Sequence, residues 1–129
     1  MLLYGTWKHR NDPEEQQDVL DDAFSRVASE TDARFVPVGA AWQLARARHP
    51  EIELYAEDGG HASPAGTYLA ACVFCAVLTP AGEKPPAPPA RITVGGVTLV
   101  DLPEGQAYAL QMTAQETIGK RSQECSFCS

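Results

Sequence analysis

Residues 1–38 read MLLYGTWKHRNDPEEQQDVLDDAFSRVASETDARFVPV. Leu2 to Trp7 is a short apolar run rich in strand formers, as expected of a buried parallel strand. His9 to Asp12 is a polar loop. Asp12 suits an N-cap, Pro13 the first helical position, and Glu14 and Glu15 the positive end of a helix. Val19, Leu20, Ala23, Phe24, Val27 and Ala28 recur at i, i+1, i+4, i+5, i+8 and i+9. That spacing lays one apolar stripe on a helix of roughly five turns, ending near Thr31-Asp32. Arg34 to Val38 reads as a second strand, with Pro37 at its end or on an edge. Strand, helix and strand in this order predict an α/β layer fold.

The rest of the chain extends that reading. Gly39 to Arg48 is a short helix with Trp42, Leu44 and Ala45 available for burial, closed by His49-Pro50. Ile52, Leu54 and Tyr55 form an extended segment leading to the glycine-rich run Asp58-Gly59-Gly60-His61. Ser63 and Pro64 are a cap and first-turn pair for a nearly all-apolar, and therefore buried, helix from Tyr68 to Leu78. Five prolines between Thr79 and Ala90 make residues 80–90 a loop. Ile92 to Val94, Gly95-Gly96 and Val97 to Val100 spell a small β-hairpin. Pro103-Glu104 opens a last helix through Ile118, and residues 120–129 read as a polar, frayed tail. No internal repeat is visible.

The chain carries 10 basic and 17 acidic residues, a net charge of -7, which argues against binding nucleic acid or an anionic membrane through a basic face. Its 129 residues suit one domain, and 44% apolar residues suffice for a core. No 18-residue apolar run predicts a membrane span. Met1 to Trp7 has neither a basic leader nor a cleavage site, so it is not a signal peptide. A domain opening directly on a buried strand suggests that sequence is missing upstream.

Asp58 precedes His61 by three residues, with glycines that permit a tight turn between them. A carboxylate that close can hold an imidazole in one tautomer, which is the orienting half of an acid–base–nucleophile triad. The alternative is plain turn chemistry with an exposed histidine. Leu54-Tyr55, Asp58-Gly59, His61, Ser63, Gly66 and Tyr68-Leu69 together resemble the last conserved block of the SGNH (GDSL-type) hydrolases. Val36 to Trp42, Tyr68 to Phe74, the strand ending Thr6-Trp7 and the Ala109-Leu110-Gln111 helix add to the resemblance, which spans most of residues 1–119.

The resemblance implies a flavodoxin-like three-layer α/β/α sandwich of parallel strands. It implies hydrolysis of carboxylic esters through an acyl-enzyme on serine, with His61 as base, Asp58 as its orienter, and no metal or organic cofactor. The chain departs from the family at the nucleophile. The Gly-Asp-Ser-type block and the oxyanion-hole glycine and asparagine have no counterpart. Ser25 and Ser29 fall mid-helix, Ser63 is a cap, Ser122, Ser126 and Ser129 lie in the tail, and Asn11 does not match. The expectation is the C-terminal part of such an enzyme, inactive alone. Its exposed sheet edge would need a missing segment or a second copy to cover it. The competing reading is a non-catalytic α/β module that binds a partner.

Cys72-Val-Phe-Cys75 and Cys125-Ser-Phe-Cys128 are two CxxC pairs, but 49 residues separate them and the first falls inside a helix. Buried core thiols are the simpler reading for that pair, and shared zinc the alternative. Reduced, helix-buried cysteines lean towards the cytoplasm without fixing the compartment. Trp7 and His9 follow the first strand, where α/β folds place ligand loops, and are candidate substrate contacts. A packed Trp and a solvated His are the alternative for these two.

Overall fold

In the computed structural model strands β1 (Leu2–Gly5) and β2 (Arg34–Pro37) pair in parallel, in register from Leu2–Arg34 to Gly5–Pro37. Parallel strands need a crossover, and helix α1 (Glu15–Thr31) supplies it. The structure describes residues 1–126, with side chains through Arg121. Asp32 ends α1 in the left-handed region (φ 55°) and its amide donates to the Ala28 carbonyl.

Two expectations for α1 are corrected. Asp12 is not its cap: the helix starts at Glu15, and the Asp12 carbonyl instead accepts from Lys8 Nζ at 3.0 Å. The apolar stripe is only half covered. Ala28 is buried and Leu20 and Phe24 are half-buried, but Val19 is 59% and Val27 46% exposed. The buried polar residue Gln17 faces the end of β1 instead. Its Oε1 accepts the Lys8 amide at 2.9 Å, and its Nε2 donates to the Thr6 carbonyl at 3.2 Å. Backbone groups left over at a strand end demand partners, so an amide outcompetes an apolar side chain there.

Helix α2 (Val38–Arg48) follows β2 without a loop. Its first turn presses on the end of β1: a Cβ at Gly39 would sit 2.1 Å from the Thr6 carbonyl oxygen. Trp42 and Ala45 are buried as expected, and the amide of His49 closes the helix on Ala45. Ile52, Leu54 and Tyr55 are buried, yet they join no sheet, making a single bridge between Tyr55 and Ala62.

Helix α3 (Pro64–Leu78) is the core of the molecule. Ser63 caps it by accepting the Gly66 amide at 3.2 Å, and Pro64 takes the first turn. The proline-rich loop then runs to a hairpin, β3 (Arg91–Val94) and β4 (Val97–Asp101), turned at Gly95 and Gly96, both with positive φ. Tyr68 pins that loop by donating to the Pro88 carbonyl at 2.6 Å, while accepting from Gln111 at 2.8 Å.

Helix α4 (Glu104–Ser126) packs on α3 and α2. It outruns the expected tail, staying helical from Lys120 to Ser126. Lys120 pairs with Glu116 one turn back, and the Arg121 guanidinium covers the Phe35 ring at 4.6 Å, so the last turns have their own anchors. Arg48 of α2 also pairs with Glu116. The described residues thus form a mixed α/β fold of four helices, one parallel pair and one hairpin. Among them, no helix is long and apolar enough to cross a membrane.

Candidate functional site

The Tyr55–Ala62 loop is closed by its own backbone. The Ala56 amide donates to the His61 carbonyl at 2.8 Å, and the Gly59 amide to the Ala56 carbonyl at 3.0 Å. Gly59 has φ 72°, a left-handed conformation that favours glycine and turns the chain back. Asp58 then uses both carboxylate oxygens locally. Oδ1 accepts the amides of Gly60 and His61, each at 2.9 Å, and Oδ2 is hydrogen-bonded to His61 Nδ1.

The structure therefore brings the two expected catalytic residues together. The His61 hydrogen bond, followed by the two amides, holds the Asp58 carboxyl well below the usual carboxylate range. The same hydrogen bond raises the His61 imidazole above its ordinary value of 6.5. With Nδ1 committed to Asp58, Nε2 is the nitrogen left for chemistry, and the ring is 87% exposed. The arrangement can take up or deliver a proton at Nε2.

Trp7 and His9 reach this loop from the end of β1. The Trp7 indole donates to the Gly60 carbonyl at 2.8 Å and stacks on Trp42 at 4.0 Å, the rings within 1° of parallel. Trp42 in turn meets Tyr55 edge-on at 4.8 Å. The exposed His9 ring lies against Gly60, where a Cβ would come within 2.9 Å of it. Both residues touch the backbone of the Asp58–His61 loop.

No family model, curated protein or solved structure matches this chain. The residues themselves must carry any assignment.

Sequence reasoning missed the support beneath the loop. Lys8 is only 3% exposed, and its ammonium donates to the carbonyls of His9, Arg10 and Asp12 at 3.0–3.3 Å beside Glu14 at 3.4 Å. This knot fixes residues 8–12. The Arg10 amide then donates to the Gly59 carbonyl at 2.8 Å, and the Tyr55 hydroxyl to the Lys8 carbonyl at 2.7 Å. A lysine after a strand carries no local signal of burial, so only the folded contacts reveal it.

Ser63, near His61 in sequence, is committed elsewhere: its hydroxyl donates to the Glu53 carbonyl at 2.7 Å while capping α3. Ser25 and Ser29 lie within α1. Cys72 and Cys75 are free thiols on α3, and burial pushes Cys72 up to about 12, which leaves little thiolate near neutral pH. The Cys125–Cys128 pair lies outside the described side chains. Among the described residues, no group of three or more His, Cys, Asp or Glu is placed to hold a metal ion.

Proposed function

We propose that Asp58 and His61 are the orienting acid and the base of an SGNH-type ester hydrolase. Its nucleophilic serine and oxyanion donors come from a segment outside these 129 residues. The observation that carries the reading is the seating of Asp58 Oδ2 on His61 Nδ1, with two amides on Oδ1 and the His61 side chain exposed. In the proposed reaction Nε2 accepts the serine proton as the serine oxygen bonds to the ester carbonyl carbon. The proton then passes to the leaving alkoxide as the acyl–oxygen bond breaks, and Asp58 steadies the imidazolium between the two steps. The proposal requires no metal or organic cofactor.

Two further observations support a larger assembly. Charge development is best stabilised where water is excluded, and the exposed His61 ring stands open to solvent. The parallel pair also has helical contacts to both sides: Tyr4 meets Phe74 of α3, while Arg121 of α4 covers Phe35, which alternates with Tyr4's register partner Val36. These contacts support the reading of a layered sandwich, which further parallel strands would complete. The exposure of Leu2, Tyr4, Val19 and Val27 also favours the second reading, a partner-binding module without chemistry.

Treating the chain with a fluorophosphonate tests the missing nucleophile. The intact mass is expected to stay unchanged, because removing a nucleophile abolishes nearly all activity of this class. A stoichiometric adduct on any serine would overturn the proposal that the nucleophile comes from elsewhere.

A further inference from the structure

We infer that a second site, distinct from the Asp58–His61 pair, binds a small oxyanion, a carboxylate or phosphate group, in a cleft lined by Arg10 and Arg46. A cleft of about 490 Å³ lies between α2, the Pro50–Tyr55 segment and the loop before α1. Ile52, Leu54 and Tyr55 line it from the buried core, and Arg10, Arg46, Glu14 and Glu53 supply its charges.

The two arginines are preorganised. Each guanidinium carbon lies 5.3 Å from the centroid of the same Tyr55 ring. Arg10 is also tied to the Ala56 carbonyl at 3.3 Å. Both side chains are about one-third exposed, so they are already largely ordered and partly desolvated. Ordering a guanidinium beforehand removes much of the entropic cost of binding. Their present partners are weak. Glu53 meets Arg10 at 3.2 Å and Glu14 meets Arg46 at 3.2 Å, but both glutamates are mostly exposed. Glu53 Oε1 also accepts the Tyr55 amide at 3.0 Å and Glu14 Oε1 also meets Lys8, so an incoming oxyanion competes with each carboxylate for its arginine alone, an exposed pair that contributes little. A guanidinium fork matches the planar or tetrahedral oxygens of that ligand class.

Nuclear magnetic resonance titration of the whole chain at constant ionic strength tests this, with inorganic phosphate in one arm, succinate in the other and chloride as the control. The expected result is saturable shifts confined to Arg10, Arg46 and Tyr55 in at least one arm, with a dissociation constant of about 1 mM. Arg46→Gln should weaken binding about tenfold. Glu53→Gln should tighten it about twofold by freeing Arg10. Arg26→Gln, on the exposed face of α1, should change nothing. Linear, non-saturating shifts in both arms would overturn the inference. So would equal saturation in wild type and Arg46→Gln with the fold intact, or weaker binding in Glu53→Gln.

Discussion

Trp42→Ala is expected to lower the unfolding free energy by about 3–5 kcal/mol, read from the midpoint of urea denaturation. Trp42 is 1% exposed and joins three parts of the chain. Trp7 stacks on its face, the Tyr55 ring meets it edge-on, and a Cβ at Gly66 of α3 would come within 2.6 Å of its Cζ2. Alanine leaves a cavity that these neighbours cannot refill, since Tyr55 is held by Lys8 and Trp7 by Gly60. The indole nitrogen of Trp42 has no hydrogen-bond partner among the described residues, so the loss is one of packing. Trp42→Phe should therefore cost markedly less than alanine. A domain of this size has roughly 5–15 kcal/mol in total, which makes the alanine loss a large fraction. A loss below about 1 kcal/mol would show that the aromatic stack does not hold the core together.

Lys8→Met is expected to cost about 2–3 kcal/mol. Methionine keeps the length and the apolar stem but removes the donor that three carbonyls share. Glu14 can hydrate freely, so the penalty comes from the carbonyls of His9, Arg10 and Asp12. Those residues carry Arg10, whose amide closes onto Gly59. Hydrogen exchange at the Arg10 amide should consequently accelerate in Lys8→Met. Unchanged stability and unchanged exchange together would contradict the structural role given to Lys8.

How much of this the sequence discloses depends on whether the signal is local. Ser63-Pro64 and the apolar run after it mark α3, Gly95-Gly96 marks the hairpin turn, and Asp58 and His61 are near enough in sequence to meet across a two-glycine turn. Each of those depends on a few neighbouring residues. Periodicity found α1 but not which part of its stripe is covered, because coverage depends on elements elsewhere in the chain. Gln17 and Lys8 are buried through contacts that form only when α1 and the preceding loop fold back on β1. The end of α4 carries no apolar periodicity after Gly119, and its anchor exists only once Arg121 meets Phe35 in the fold. The Arg10–Arg46 cleft joins residues 36 positions apart and has no local signature.

The proposed role of His61 as base turns on its tautomer and protonation. Because its folded value is raised, the stabilisation from its proton is present in full below the ordinary imidazole value of 6.5, and is lost as pH rises through the folded value. Asp58's folded value is lowered, so its contribution is present above the ordinary 3.8 and lost as pH falls through the folded value. The ion pair is thus fully formed from 3.8 to 6.5, and a reaction using His61 as base accelerates only as pH climbs through its raised value. Nitrogen-15 magnetic resonance of the His61 ring across pH measures both properties. The expected result is a midpoint above 6.5 that falls in Asp58→Asn, and a neutral ring protonated at Nδ1 with the Nε2 lone pair free. A neutral ring protonated at Nε2, or a midpoint unmoved by Asp58→Asn, would contradict it.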